Sequence, residues 1–174
     1  MTTGSRTREE RFGELIERHQ SLLQKVARAY CARADQRGDL LQEMAIALWR
    51  SFARYDAARP FSTWAYRIAL NVAISFYRRE NRNEQLRVPL DEALPAREGL
   101  EDPRVASLLE CIDELGPLDK ALVLLYLDGH SHAEIAEIVG ISATNSMTKL
   151  ARIKERLRGA VAASVAREER HGAR

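Results

Sequence analysis

Residues 131–158 read SHAEIAEIVGISATNSMTKLARIKERLR, and this stretch decides the fold of the C-terminal half. Ser131 and Glu134 have capping-box spacing, so each side chain can satisfy an amide left unpaired at a helix start. Ile135, Ala136 and Val139 supply the buried side of a short helix, with Ala136 small where two helices cross closely. Gly140 stands where a tight turn needs a positive φ, Ile141 plugs the core from the turn, and Ser142 caps the next helix. That helix projects Ala143, Thr144, Met147, Thr148 and Lys149 outward and packs Leu150, Ile153 and Leu157 inward. Arg152, Lys154, Arg156 and Arg158 add positive charge that can meet phosphates. The pattern predicts a DNA-binding helix-turn-helix over an αα-hairpin used only for packing. Ser146 falls where such motifs place Val or Ile, and Met147 is the alternative packing residue, so the register of the second helix stays open.

Upstream, Asp102-Pro103 reads as an N-cap followed by proline at the first helical position. A helix to Leu115 follows, buried through Val105, Leu108, Leu109 and Ile112. Gly116-Pro117 breaks it, and another helix runs through Leu127. These four helices predict a domain over 103–160, with a frayed tail after it. Residues 84–102 are acidic, proline-containing and poor in apolar periodicity, which predicts an extended or disordered linker.

The N-terminal part shows three apolar stripes of helical period. Phe12, Leu15, Ile16, His19, Leu22, Leu23, Val26, Ala27 and Tyr30 predict one long helix. Leu40, Leu41, Met44, Ala45, Leu48 and Phe52 predict a second, after a break at Arg37-Gly38. Phe61, Ala65, Ile68, Val72 and Phe76 predict a third, starting near Pro60. Sustained period-two alternation is missing, so the fold class is all-α, with a three-helix domain over 8–83 and a four-helix domain over 103–160. The third helix carries a polar stripe of Arg67, Asn71, Ser75, Arg78 and Arg82, with Trp64 at its edge near Phe61. Arginines hold phosphates, Asn and Ser can bond base edges, and aromatics stack on unpaired bases, although amphipathic helices often carry Arg outside.

Net charge is only +2, but its distribution is uneven. Pro60 to Asn83 holds four Arg against one Glu, Glu84 to Leu115 three Arg against nine acids, and Met147 to Arg174 eight basic residues against three Glu. Two basic segments flanking an acidic one suit two anion-contacting surfaces, and equally suit ordinary solvated helix faces. In 174 residues, Cys31 and Cys111 are the only cysteines, too few and too distant for a disulfide framework, and are expected to be buried thiols. His130 and His132 lack Cys or His partners and are expected at the surface, so no metal site is expected. A phosphate-binding glycine loop and a nucleophile elbow are also missing, and neither enzymatic activity nor a cofactor is expected. No run approaches the roughly 20 apolar residues of a membrane span, and the N-terminus lacks a signal-peptide pattern, so a cytoplasmic protein is expected.

Three quoted segments together resemble the extracytoplasmic-function sigma factors of bacterial RNA polymerase. DLLQEMAIALWRSFARYD (39–56) and PFSTWAYRIALNVAISFYRRE (60–80) resemble sigma region 2. LGPLDKALVLLYLDGHSHAEIAEIVGIS (115–142) and the helix after it resemble region 4. The resemblance implies that Asp39, Gln42, Glu43 and Arg50 contact the clamp helices of the largest polymerase subunit. It implies that Tyr55, Phe61, Ser62, Trp64, Arg67, Asn71, Ser75, Arg78 and Arg79 serve the minus-ten element as single-stranded DNA. Ser142, Ala143, Thr144, Met147, Thr148, Lys149 and Arg152 would read the minus-thirty-five element in the major groove. Ser75 stands where the family often has Asp, so promoter preference does not transfer. An anti-sigma factor is an expected further partner. The competing readings are a helix-turn-helix regulator of another family, which would bind duplex DNA without polymerase, an enzyme, and a structural helical adaptor.

Overall fold

Apolar stripes at three- and four-residue steps turn one face of each segment inward, fully buried in α2 and α3 and half-buried in α1, and every regular element among the described residues is helical. The structure, a computed structural model, describes residues 7–31, 33–86 and 103–172. The chain divides into two units, Met1–Leu86 and Arg87–Arg174. Among the described residues no helix is long and apolar enough to cross a membrane.

Unit one contains α1 (Arg8–Arg18), α2 (Gln20–Tyr30), α3 (Ala34–Ser51), a 3₁₀ turn (Phe52–Arg54) and α4 (Phe61–Leu86). The stripe read as one long helix is therefore two helices, interrupted at His19, whose φ of −110° and ψ of 18° leave the helical region. The His19 ring lies 4.9 Å from that of Phe61, and its Nδ1 is 2.9 Å from the Leu15 carbonyl oxygen. That packing ends the first helix while keeping His19 on the apolar stripe. The break expected at Arg37-Gly38 is also displaced, because α3 starts at Ala34 and runs through Gly38. Arg33 is extended there and pairs with Asp35 at 3.0 Å, and Arg37 Nε donates to the Cys31 carbonyl at 2.9 Å to seal the corner. A glycine inside a helix costs about 1 kcal/mol relative to alanine. The fully buried Leu40, Met44 and Leu48 on the same helix offset that cost.

Unit two contains α5 (Pro103–Asp113), α6 (Pro117–Leu127), α7 (His132–Val139) and α8 (Ala143–Gly172). Leu115, Leu122, Leu125, Ile135, Ile138, Leu150 and Ile153 form its core. Lys120 is buried with them and donates from Nζ to the Asp113 carbonyl at 3.3 Å, placing a cation at the C-terminal end of α5. The expected fraying of the tail does not begin at 160, because α8 continues to Gly172. Leu157, Val161 and Val165 stay half-buried at four-residue steps, which extends the apolar stripe of α8. Glu84, Gln85 and Leu86 belong to α4, not to a linker; the rest of the expected linker, 87–102, and the Asp102 cap lie outside the described residues. Cys31 and Cys111 are both buried thiols.

Candidate nucleic-acid interface

Unit two builds its candidate surface from the cap upward. Ser131 Oγ accepts from the Glu134 amide at 3.3 Å, and the Glu134 carboxylate accepts from the Ser131 amide at 2.8 Å and its hydroxyl at 2.7 Å. These bonds, the hydroxyl first, hold the Glu134 carboxyl below its ordinary pKa. Gly140 adopts φ 79°, ψ 37°, the left-handed conformation that lets α7 end and the chain turn. Ser142 Oγ then accepts from the Asn145 amide at 3.1 Å and caps α8. Ser142, Ala143, Thr144, Met147, Thr148 and Arg152 are all exposed on the first turns of α8.

The register left open by the sequence is decided here. Ser146 is 0% exposed and Met147 is 55% exposed, so Met147 does not take the core position. Ser146, Leu150, Ile153 and Leu157, at steps of four, three and four, make the inward stripe, and Leu150 and Ile153 draw Ser146 in with them. Among the described residues the buried Ser146 hydroxyl has no hydrogen-bond partner. An unpaired buried hydroxyl costs about 1–3 kcal/mol. Ser146→Ala is therefore expected to raise unfolding stability by about 1 kcal/mol, read as a higher urea midpoint.

Not every basic residue of α8 is available. Lys149 is half-buried and pairs with Asp119 on α6 at 3.2 Å. Arg156 pairs with Glu114 at 2.9 Å and Arg158 with Glu155 at 3.3 Å. Among the described residues, Arg152 forms no ion pair with an acidic side chain. Asn145, absent from the expected set, is exposed on the first turn of α8, and its position after the Ser142 cap was the signal for it. His130 and His132 are half-buried, so each is only partly at the surface, and the His132 ring lies 6.4 Å from the Tyr126 ring.

In unit one the polar stripe of α4 is intact. Arg67, Asn71, Ser75, Arg78 and Arg82 are all exposed on one face. Among the described residues, Arg67, Arg78 and Arg82 form no ion pair with an acidic side chain. Arg79 differs: it pairs with Glu43 on α3 at 2.7 Å and lies 5.0 Å from the Phe76 ring centre. Two residues assigned to different partners thus hold α3 against α4, although so exposed a pair contributes only about 1 kcal/mol or less. Ser75 Oγ donates to the Asn71 carbonyl at 2.8 Å, which orients the hydroxyl along the stripe.

The aromatic residues at the mouth of α4 form a cluster. Tyr55 stacks on Phe52 at 5.8 Å, meets Phe61 edge-on at 5.5 Å and lies 5.0 Å from Trp64. Phe61 is only 5% exposed, so its ring supports the loop from below and is not a surface on which a base can stack. Tyr66 is likewise buried. Tyr55, Ser62 and Trp64 are half-buried.

On α3, Asp39, Gln42 and Arg50 are exposed and Glu43 is half-buried. Ile46 is 43% exposed in their midst and was missed, although it is an apolar residue off the buried stripe. A large apolar side chain ringed by polar ones is the composition of a protein contact.

Residues 15–83 match the family model for sigma-70 region 2, and residues 106–157 match that for sigma-70 region 4. The RNA polymerase sigma factor CarQ of Myxococcus xanthus is 30% identical over 155 residues, covering 84% of this chain and 87% of that protein. The fold is similar to that of CnrH solved with the cytosolic domain of CnrY, with a TM-score of 0.64 at 24% identity, over 87% of this chain and 88% of that one. It is also similar to RpoE of Bartonella quintana solved with the anti-sigma factor NepR, with a TM-score of 0.67 at 19% identity, over 86% and 96%.

Proposed function

The chain belongs to the extracytoplasmic-function branch of the RNA polymerase sigma factors, and from that premise we propose how its two units share promoter recognition. It acts in promoter-specific transcription initiation, and sigma factors are non-catalytic DNA-binding regulators. In unit one, the exposed face of α3 docks core polymerase at the clamp helices of its largest subunit. Asp39, Gln42 and Arg50 supply the polar contacts and Ile46 the apolar anchor, while Glu43 acts mainly through Arg79.

The loop from Tyr55 to Pro60 and the stripe of Arg67, Asn71, Ser75, Arg78 and Arg82 take the minus-ten element as single-stranded DNA. Capture of an unstacked base there favours the opened duplex without covalent chemistry. In unit two, the first turns of α8 enter the major groove of the minus-thirty-five element. Ser142, Thr144, Asn145 and Thr148 offer hydrogen bonds, Met147 and Ala143 apolar contact with thymine methyl groups, and Arg152 a phosphate or guanine contact. The protein works in the cytoplasm, and an anti-sigma factor is a further partner, as NepR is for RpoE.

The observation that carries this division is the pairing pattern of the cations. Arg67, Arg78, Arg82 and Arg152 lie exposed without acidic partners among the described residues, whereas Arg79, Lys149, Arg156 and Arg158 are engaged within the chain. A pull-down with core polymerase tests the polymerase-facing assignment. Asp39→Ala combined with Ile46→Ala is expected to lower retention of core about tenfold, and Arg152→Ala to leave it unchanged. Equal retention of all three proteins would move the docking surface off α3.

A further inference from the structure

Lys149 follows Asn145 by four residues and precedes Arg152 by three, so it lies on their side of α8, along the edge next to the inward stripe of Ser146, Leu150 and Ile153. Asn145, Thr148 and Arg152 are exposed, whereas Lys149 is half-buried with its Nζ 3.2 Å from Asp119 Oδ1 on α6. Two further pairs on this helix, Arg156 with Glu114 and Arg158 with Glu155, leave more than half of each side chain exposed. They lie about two turns or more beyond Lys149, away from the first turns of α8. Resting on the assignment of those first turns to the major groove, we propose that Asp119 is a positioning residue for duplex binding. Its carboxylate takes the Lys149 ammonium that a DNA phosphate would otherwise bind, and so limits the sequence-independent hold of unit two on DNA.

Both side chains suit such an exchange. A lysine ammonium is a compact charge on a flexible stem, and unlike an arginine fork it needs no fixed geometry in its acceptor. Carboxylate and phosphate oxygens are both charged acceptors for it. Asp119 lies in the first turn of α6, whose N-cap, Gly116, makes no side-chain bond to the free amides. The positive end of that helix favours the carboxylate there whether or not Lys149 is bound to it. Asp119 is thus a fixed anion at the border of the reading face, and Lys149 is the partner that can leave. The two side chains are 34% and 35% exposed, so salt screens them less than a fully exposed pair. The pair can still be contested, because part-exposed pairs shift an equilibrium by about fivefold or less.

The consequence falls first on non-specific binding. That binding is nearly all phosphate neutralisation, and each cation added steepens the salt dependence by about 0.9 in log–log slope. Phosphate contacts carry no sequence information, so a released Lys149 tightens the hold on every duplex alike. A pair with only a structural role has the opposite signature: its loss loosens α6 from α8 and weakens binding.

The test titrates the full chain, without polymerase, against a fluorescent duplex that has no promoter element, over a series of salt concentrations. Asp119→Asn is expected to tighten binding about three- to fivefold near about 0.1 M salt and to steepen the log–log slope by about 0.9. Asp119→Glu, which keeps the charge, is expected to restore the wild-type slope. Adding Lys149→Gln to Asp119→Asn is expected to remove both gains. A gain that survives this second substitution would come from net charge alone and would overturn the proposal, as would unchanged or weaker binding by Asp119→Asn. Arg152→Ala, titrated on a duplex from an active promoter, separates the two claims. If it weakens binding while Asp119→Asn changes nothing, only the role of Asp119 fails; if neither variant alters binding, the placement of α8 in the groove fails as well.

Discussion

Run-off transcription is expected to fall at least about 100-fold when Arg67, Asn71 and Arg78 are replaced together by alanine, because base and phosphate contacts contribute about 1–3 kcal/mol each. All three side chains are exposed and none supports the core of unit one. The unfolding free energy should therefore change by only about 0.5 kcal/mol per substitution, the ordinary range for surface positions, read from urea unfolding curves. The same triple variant should also flatten the salt dependence of promoter binding, since two phosphate-facing cations are gone. Arg79→Ala makes the informative contrast. Its guanidinium is already occupied by Glu43 and Phe76, so its loss should cost less initiation and more of the contact between α3 and α4.

Leu150→Ala is expected to act through folding instead. Leu150 is fully buried on α8. Truncating such a residue costs about 2–5 kcal/mol, the lost transfer energy plus the cavity left behind. Small helical domains have little more than that in total, about 5 kcal/mol or less. Unit two should therefore be largely unfolded at 37 °C in this variant, seen as a lost cooperative thermal transition. Dependence on the minus-thirty-five element should disappear with it, while unit one still binds core polymerase. A Leu150→Ala protein with a wild-type melt would mean that α8 is not held through its inward stripe.

The residues that announce local geometry were readable in advance. The capping box at Ser131 and Glu134, the left-handed turn at Gly140 and the polar stripe of α4 all stand where their spacing puts them. These features depend on neighbours within a few residues, which a sequence displays directly. The interruption at His19 was hidden because periodicity records which face is buried and not the backbone angles; His19 keeps its place on the stripe while leaving the helix. Gly38 misled in the opposite direction, since a glycine signals a break only where nothing else holds the helix.

The site was less legible than the fold for a related reason. Lys149 and Asp119 are 30 residues apart, and Arg79 and Glu43 are 36 apart, so which cations are already paired depends on tertiary packing. Ser146 could have been placed from Leu150 and Ile153, whose spacing puts it on the inward stripe, but its polarity argued for the surface. Ile46 was visible as an apolar residue off its stripe, and only the exposed face of α3 gives it meaning.

The most direct measurement is run-off transcription on genomic promoter fragments with core polymerase, in the presence and absence of this protein. Start sites that appear only when it is added, with shared elements near minus ten and minus thirty-five, are the expected result. No initiation at any fragment, together with tight binding to duplex DNA without polymerase, would contradict the account.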